Sequence, residues 1–133
     1  MKILRISAIL AVSVAAASFT LLQQPKPWNV ADKDSKVTNP SKKDAGSISN
    51  GKSLWSQHCS SCHGKTGLGD GNKAAQLKTT PPDLTKSPVQ SQTDGALFFK
   101  ISTGRDDMPS FKKKIPEQED IWDLVNFMRT LKK

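Results

Sequence analysis

Hydrophobic positions gather in four blocks along the chain, and their spacing differs from block to block. The last is the most regular: Ile121, Leu124, Val125, Met128 and Leu131 recur at i, i+3, i+4, i+7 and i+10, which predicts an amphipathic helix. Pro116 suits its first helical position, Glu117, Glu119 and Asp120 stand where the helix dipole favours negative charge, and Arg129, Lys132 and Lys133 close the positive end. Before it, Leu97, Phe98 and Ile101 share one face of a helix that Thr93 or Asp94 caps and Gly104 stops. Leu54, Trp55 and His58 have helical spacing behind a cap at Ser49 or Asn50. Residues 64–92 are mostly loop, with Gly64, Gly67, Gly69, Gly71 and the Pro81-Pro82 pair, leaving room for one short helix within residues 72–78. No segment alternates in the manner of a strand, so the expected fold is all-α, with about three to four helices joined by long loops.

The first block is of another kind. Lys2 and Arg5 precede residues 6–22, an apolar run broken only by Ser7, Ser13, Ser18 and Thr20, with no polar face. This is the pattern of a bacterial secretory signal, with Ala15-Ala16-Ala17 offering a cleavage site after Ala17. At 17 residues the run also reaches the lower limit for spanning a bilayer, so retention as an amino-terminal anchor is the other expectation. Both place the rest of the chain outside the cytoplasm, in the bacterial periplasm, soluble or anchored to the inner membrane. Residues 23–45 then turn to Pro, Lys, Asp, Ser and Asn, with Pro25, Pro27 and Pro40 interrupting any regular element. They read as a flexible linker, laid along the domain through Trp28, between a leader (1–22) and a folded domain (46–133).

Composition sharpens this picture. The 133 residues allow one small domain, and only 35% are hydrophobic, part of that fraction being used up in the leader. Two cysteines cannot form the several bridges that staple a small secreted scaffold. A large multi-domain enzyme, a polytopic membrane protein and a disulfide-rich fold are all excluded. A domain so poor in apolar side chains needs another source of core, such as a bound cofactor or metal.

Both cysteines fall in Cys59-Ser60-Ser61-Cys62-His63. Two thiols three residues apart can reach the two vinyl groups of one porphyrin and form thioethers, and the histidine that follows is then held beneath the iron, so C-x-x-C-H reads as a site for covalently attached haem c. Chance placement of two cysteines and two histidines gives this motif only about 2 times in 10,000. A thioredoxin-type disulfide would need a βαβ pattern, which is missing. A zinc site would draw every Cys and His ligand from residues 58–63, too short a stretch to surround an ion tetrahedrally. With His63 as one axial ligand, His58 lies on the same side of the attachment helix and cannot reach the opposite face of the haem. Of the methionines, Met1 starts the leader and Met128 belongs to the apolar stripe. Met108, in a loop with Pro109 behind it, is the candidate for the second axial position, with a plain packing role as its alternative. Ligation by His and Met fills both axial sites and raises the reduction potential, which leaves iron able only to accept and pass on an electron.

These residues resemble the small class I (monohaem) cytochromes c of bacteria. The resemblance spans residues 46–133 and rests on Gly51-x-x-Leu54-Trp55-x-x-x-Cys59-x-x-Cys62-His63, Pro82-Asp83-Leu84, Met108-Pro109 and Leu124-x-x-Phe127-Met128-x-x-Leu131. It implies the cytochrome c fold around one haem, a crossing of the first and last helices at Gly51 and Trp55 against Leu124 and Phe127, and Met108 as the second axial ligand. It also implies that the carbonyl of Pro82, or of Pro81, accepts the ring N–H of His63, which would fix its tautomer. The family tyrosine near a haem propionate has no counterpart, because the chain contains no Tyr. Arg105 is either a propionate partner or a solvated surface charge.

Residues 47–133 carry 13 Lys and Arg against 9 Asp and Glu, a net of +4, and Lys112, Lys113 and Lys114 follow the methionine loop. Redox partners with acidic surfaces, such as oxidase or reductase subunits, fit this charge, and a lysine run that simply aids solubility is the alternative. Nucleic acid is not an expected partner, since the basic residues are not interleaved with exposed aromatics. The expected function is a one-electron carrier in a respiratory chain, not an enzyme. A haem enzyme or gas-binding sensor with a labile or open sixth site is the alternative, and it lacks a distal histidine.

Overall fold

The computed structural model describes residues 27–133, so the leader expected at residues 1–22 lies outside the described residues. Six α-helices follow in order: α1 (Asp32–Ser35), α2 (Ala45–His58), α3 (Ser60–His63), α4 (Ser87–Gln90), α5 (Asp94–Thr103) and α6 (Gln118–Thr130). One 3-10 turn at Ala74–Gln76 occupies the short helical stretch expected within residues 72–78. Among the described residues there is no strand, only an isolated bridge between Arg105 and Met108. No described helix is long and apolar enough to cross a membrane.

Two helix starts differ from expectation for identifiable reasons. Helix α2 begins at Ala45, because the Asp44 carboxylate accepts a hydrogen bond from the Ser47 backbone N–H at 2.9 Å. Ser49 and Asn50, which resemble caps in the sequence, lie inside the helix. Asn50 donates across to α6 instead, to Asp120 at 2.7 Å and Asp123 at 2.8 Å. Helix α6 begins at Gln118, with Glu117 rather than Pro116 at its boundary, and its first turn still carries Glu119 and Asp120. For α5 the choice resolves to Thr93, whose hydroxyl accepts from the Ala96 N–H.

Helices α2 and α6 cross where Gly51 leaves no side chain between them. A Cβ there would lie 2.1 Å from the Asp123 carbonyl oxygen and 2.9 Å from Phe127 Cβ. One turn on, Trp55 meets Phe127 with ring centroids 5.7 Å apart, and Phe98 of α5 stacks on Trp122 of α6 at 4.1 Å. Every residue from Ile121 to Met128 is buried. The middle of helix α6 is therefore enclosed all round, although its sequence shows an apolar stripe and a polar remainder.

The polar remainder is covered by residues 27–44, which lie against the helices as a strap. The Asp123 carboxylate, 7% exposed, accepts from Ser41 Oγ at 2.7 Å, Ser47 Oγ at 2.6 Å and Asn50 Nδ2 at 2.8 Å. Asn126, 2% exposed, accepts from Asn39 Nδ2 at 2.9 Å and donates to Ser47 Oγ at 2.8 Å. Arg129, expected only to close the positive end, binds Asp94 Oδ1 through both Nε and Nη2 and the carbonyls of Gln90 and Gln92, joining α6 to the start of α5.

Two outcomes follow from this packing. Gly51→Ala should destabilise the protein by about 1–3 kcal/mol in denaturant titration, although alanine is the better helix former, because the crossing has no room for a methyl group. Burial alone would push the Asp123 carboxyl up, but hydrogen bonds from Asn50, Ser47 and Ser41 outweigh it and hold its pKa below the usual carboxylate value. Its stabilising contribution is complete above the ordinary carboxylate range and fades as pH falls through the lowered pKa. Asp123→Asn should therefore be less stable than wild type at neutral pH by about 1–3 kcal/mol, and the gap should narrow in acid when unfolding is followed against pH.

Candidate functional site

The chain breaks helical register at Cys59 (φ −116°) between α2 and α3, so the two cysteines and His63 occupy a single further turn. That turn is tied at both ends. The Cys59 N–H donates to Trp55 O at 2.9 Å, and the Cys62 and His63 N–H groups donate back to Cys59 O at 3.1 and 3.0 Å. The carbonyls of Ser61, Cys62 and His63, which would be orphaned at a helix end, accept from the N–H groups of Lys73, Gly71 and Gly69 at 2.9, 3.2 and 2.9 Å. Gly64 (φ +81°) makes the reversal that brings this loop back.

Trp55 braces the turn from below. Its Nε1 donates to the Gly64 carbonyl at 3.1 Å, and its ring lies 5.8 Å from the His63 ring. Burial lowers the His63 pKa, so the imidazole is neutral at physiological pH, the form that ligates a metal. Its Nδ1 is buried and has no hydrogen-bond partner. Cys59 packs against the core, and burial together with the neighbouring Cys62 pushes its thiol up to about 12. Both cysteines are free rather than paired with each other.

The Pro81-Pro82 segment runs beside this loop. A Cβ on Gly69 would sit 2.3 Å from Pro81 O, and the Leu84 N–H donates to Gly67 O at 2.7 Å. The structure thus brings Pro82 near the histidine loop, but the bond from the His63 ring to a proline carbonyl is not formed.

Met108 lies across a tight turn. Arg105 N–H donates to Met108 O at 2.8 Å and Met108 N–H to Arg105 O at 2.9 Å, enclosing Asp106 (φ +52°) and Asp107. Asp107 accepts from the Thr79 N–H at 3.1 Å, and the half-buried Met108 packs against the same core as Cys59. His58 is turned aside, its ring edge against Phe111 at 6.1 Å. Arg105 is neither simply solvated nor turned inward: its Nη1 donates to Pro27 O at 3.2 Å and its guanidinium lies over the Trp28 ring at 4.6 Å. Spacing gave no signal for the Trp55–Gly64 and Trp28–Arg105 contacts, because each joins a side chain to a turn whose path is set by tertiary structure.

Two thiols and a neutral imidazole on one turn, with a buried nitrogen left unpartnered, fit a covalently bound haem. An all-α fold with this donor set is that of a c-type cytochrome. Residues 46–128 match the family model described as cytochrome c oxidase, cbb3-type, subunit III, and the chain belongs to this family of c-type cytochrome domains. It is similar to cytochrome c6 of Alaria esculenta, 29% identical over 83 residues that cover 62% of this chain and 90% of the relative. A second cytochrome c6, from Petalonia fascia, is 28% identical over 81 residues, covering 61% and 88%. Among solved structures, cytochrome cL from Hyphomicrobium denitrificans superposes with a TM-score of 0.56 at 25% identity, covering 73% of this chain and 54% of that one. A chain of the reducing HAO-like protein complex of Kuenenia stuttgartiensis shares the fold with a TM-score of 0.63 at 24% identity, and this chain spans half its length. The protein is a haem c electron carrier of the cytochrome c fold rather than an enzyme.

Trp55→Phe keeps an aromatic ring but removes the bond to Gly64 O, leaving that buried carbonyl only the longer bond from the Gly67 N–H at 3.4 Å. Thermal unfolding of the haem-loaded protein should shift down by about 4–8 °C for each kcal/mol lost.

Proposed function

We propose that this domain carries single electrons in a respiratory chain, with haem held as thioethers by Cys59 and Cys62 and its iron ligated by His63 and Met108. The observation that carries the reading is the neutral, half-buried imidazole of His63, braced by Trp55 on the same turn as the two thiols. When bound, the haem supplies a reversible ferric–ferrous couple. The protein's part is to hold both ligands still, so that little rearrangement accompanies electron transfer. His63 is held through its backbone by the Gly69 N–H and Cys59 O, and Met108 through the Arg105 pairing. Pro82, or Pro81 beside it, is the proposed acceptor for the unpartnered ring nitrogen of His63.

Lys112, Lys113 and Lys114 are all exposed and follow the methionine turn by four to six residues. They form the proposed docking face for redox partners with acidic patches, drawn in by ionic steering. Export to the bacterial periplasm, soluble or tethered through residues 6–22, completes the proposal and agrees with the secretory pattern of the leader.

Carbon monoxide tests the ligand set. The visible spectrum of the reduced wild-type protein should be unchanged by carbon monoxide, and that of Met108→Ala should shift. A wild-type spectrum that shifts as fully as the variant's would overturn Met108 as ligand and favour a gas-binding site.

A further inference from the structure

Residues 27–44 precede the matched family region, which begins at residue 46, yet they are built into the domain at several points. Gly95 of α5 has no side chain where the strap crosses it: a Cβ would lie 2.5, 2.8 and 2.7 Å from the carbonyl oxygens of Asp34, Ser35 and Val37. Thr93 Oγ1 donates to the Ser35 carbonyl, and Asn39 and Ser41 bind the buried Asn126 and Asp123 of α6. A strap pinned along this length keeps its amino-terminal end against the domain.

At that end stands Trp28. Two cations share its ring, the Arg105 guanidinium 4.6 Å and Lys100 Nζ 5.5 Å from the centroid. An indole ring shared by two positive groups attracts both and offsets their mutual repulsion. Lys100 is further held by Gln92 Oε1 at 2.6 Å, and the neighbouring Pro27 carbonyl accepts from Arg105. Arg105 is also the residue whose backbone N–H and C=O both pair with Met108. The turn they enclose includes Asp106 at φ +52°, a conformation uncommon for a residue with a side chain, and the Arg105 Nε also pairs with the Asp106 carboxylate at 3.4 Å, so the placement of the guanidinium bears on the turn itself.

We propose that Trp28 is a positioning residue for Met108: by fixing Arg105 it holds the methionine turn closed and keeps the sulfur on iron. The inference rests on the reading of Met108 as axial ligand. Loss of the ring would remove the cation–π hold on the Arg105 guanidinium, loosen the turn, and enlarge the population in which the sixth position is vacant.

The test uses the haem-loaded protein carrying Trp28→Ala, Trp28→Phe, Arg105→Gln or Asn50→Ala. Asn50→Ala cuts bonds between α2 and α6, leaves the Gly51 contact in place, touches no residue of the methionine turn, and serves as a control for stability alone. Three quantities are read: the rate of carbon monoxide binding to ferrous protein, the sulfur-to-iron charge-transfer band of ferric protein, and the thermal midpoint. Trp28→Ala should bind carbon monoxide about tenfold faster than wild type and show a weakened band. Trp28→Phe, which keeps a ring face, should largely restore both. Arg105→Gln should shift both in the same direction as Trp28→Ala, and it stands in for that variant should it not fold. Asn50→Ala should lower the thermal midpoint without altering either. Binding rates in Trp28→Ala or Arg105→Gln no faster than in Asn50→Ala would overturn the proposal. Met108→Ala in the same series separates the two readings, since a wild-type rate there defeats the ligand assignment itself.

Discussion

The contact on which this architecture depends is the approach of α2 to α6 at Gly51, where backbone meets backbone and a single added carbon would lie 2.1 Å from the Asp123 carbonyl oxygen. That closeness brings Trp55 against Phe127 and leaves the indole N–H facing the Gly64 carbonyl. Gly64 is the reversal after His63, so the crossing of two long helices is transmitted through one indole to the turn bearing the thiols and the imidazole. A side chain at Gly51 would force the helices apart, and so displace the His63 turn as well as weaken the core.

The C-x-x-C-H turn shows how a motif of five residues acquires rigidity that it lacks alone. A single helical turn makes few internal hydrogen bonds and is not stable in isolation. Here the glycine-rich loop after it returns three N–H groups to its last carbonyls, and Trp55 closes it from the other side. The cost of ordering the loop is met by contacts to Leu84 and Leu131, over which Gly67 fits only because it lacks a side chain. The donor set is thus held in place by backbone geometry more than by side-chain packing.

Much of this is visible in the order of residues. The apolar stripe of α6, the stop of α5 at Gly104 and the C-x-x-C-H turn are local patterns, and local patterns are what periodicity and spacing report. What they do not report is which polar residues become buried. Asp123 and Asn126 look solvent-facing on a helical wheel, yet the strap covers them, and their partners Asn39 and Ser41 lie more than 80 residues away in sequence. Asn50 has the composition of a cap and serves as an interhelical donor for the same reason. Arg105 shows the limit most clearly, since its choice among a propionate, solvent and Trp28 depends on where residues 27 and 28 lie. The proposed axial role of Met108 is legible in sequence as a residue type in a suitable loop, whereas the support of its turn is purely tertiary.

Because Arg105 holds the Pro27 carbonyl, the polypeptide enters the domain beside the methionine turn rather than at the far end of the bundle. The entry point acts as a pivot. A load on the chain at that point is borne first by Trp28 and Arg105, and the docked strap passes the remainder to α5 and α6. Any body attached upstream of Pro27 would therefore restrict the rotation of the domain about this pivot and keep the Met108 side within reach of the attachment. In mechanical terms the carrier would be mounted by the face proposed for electron exchange, with the length of chain before Pro27 setting its radius of search.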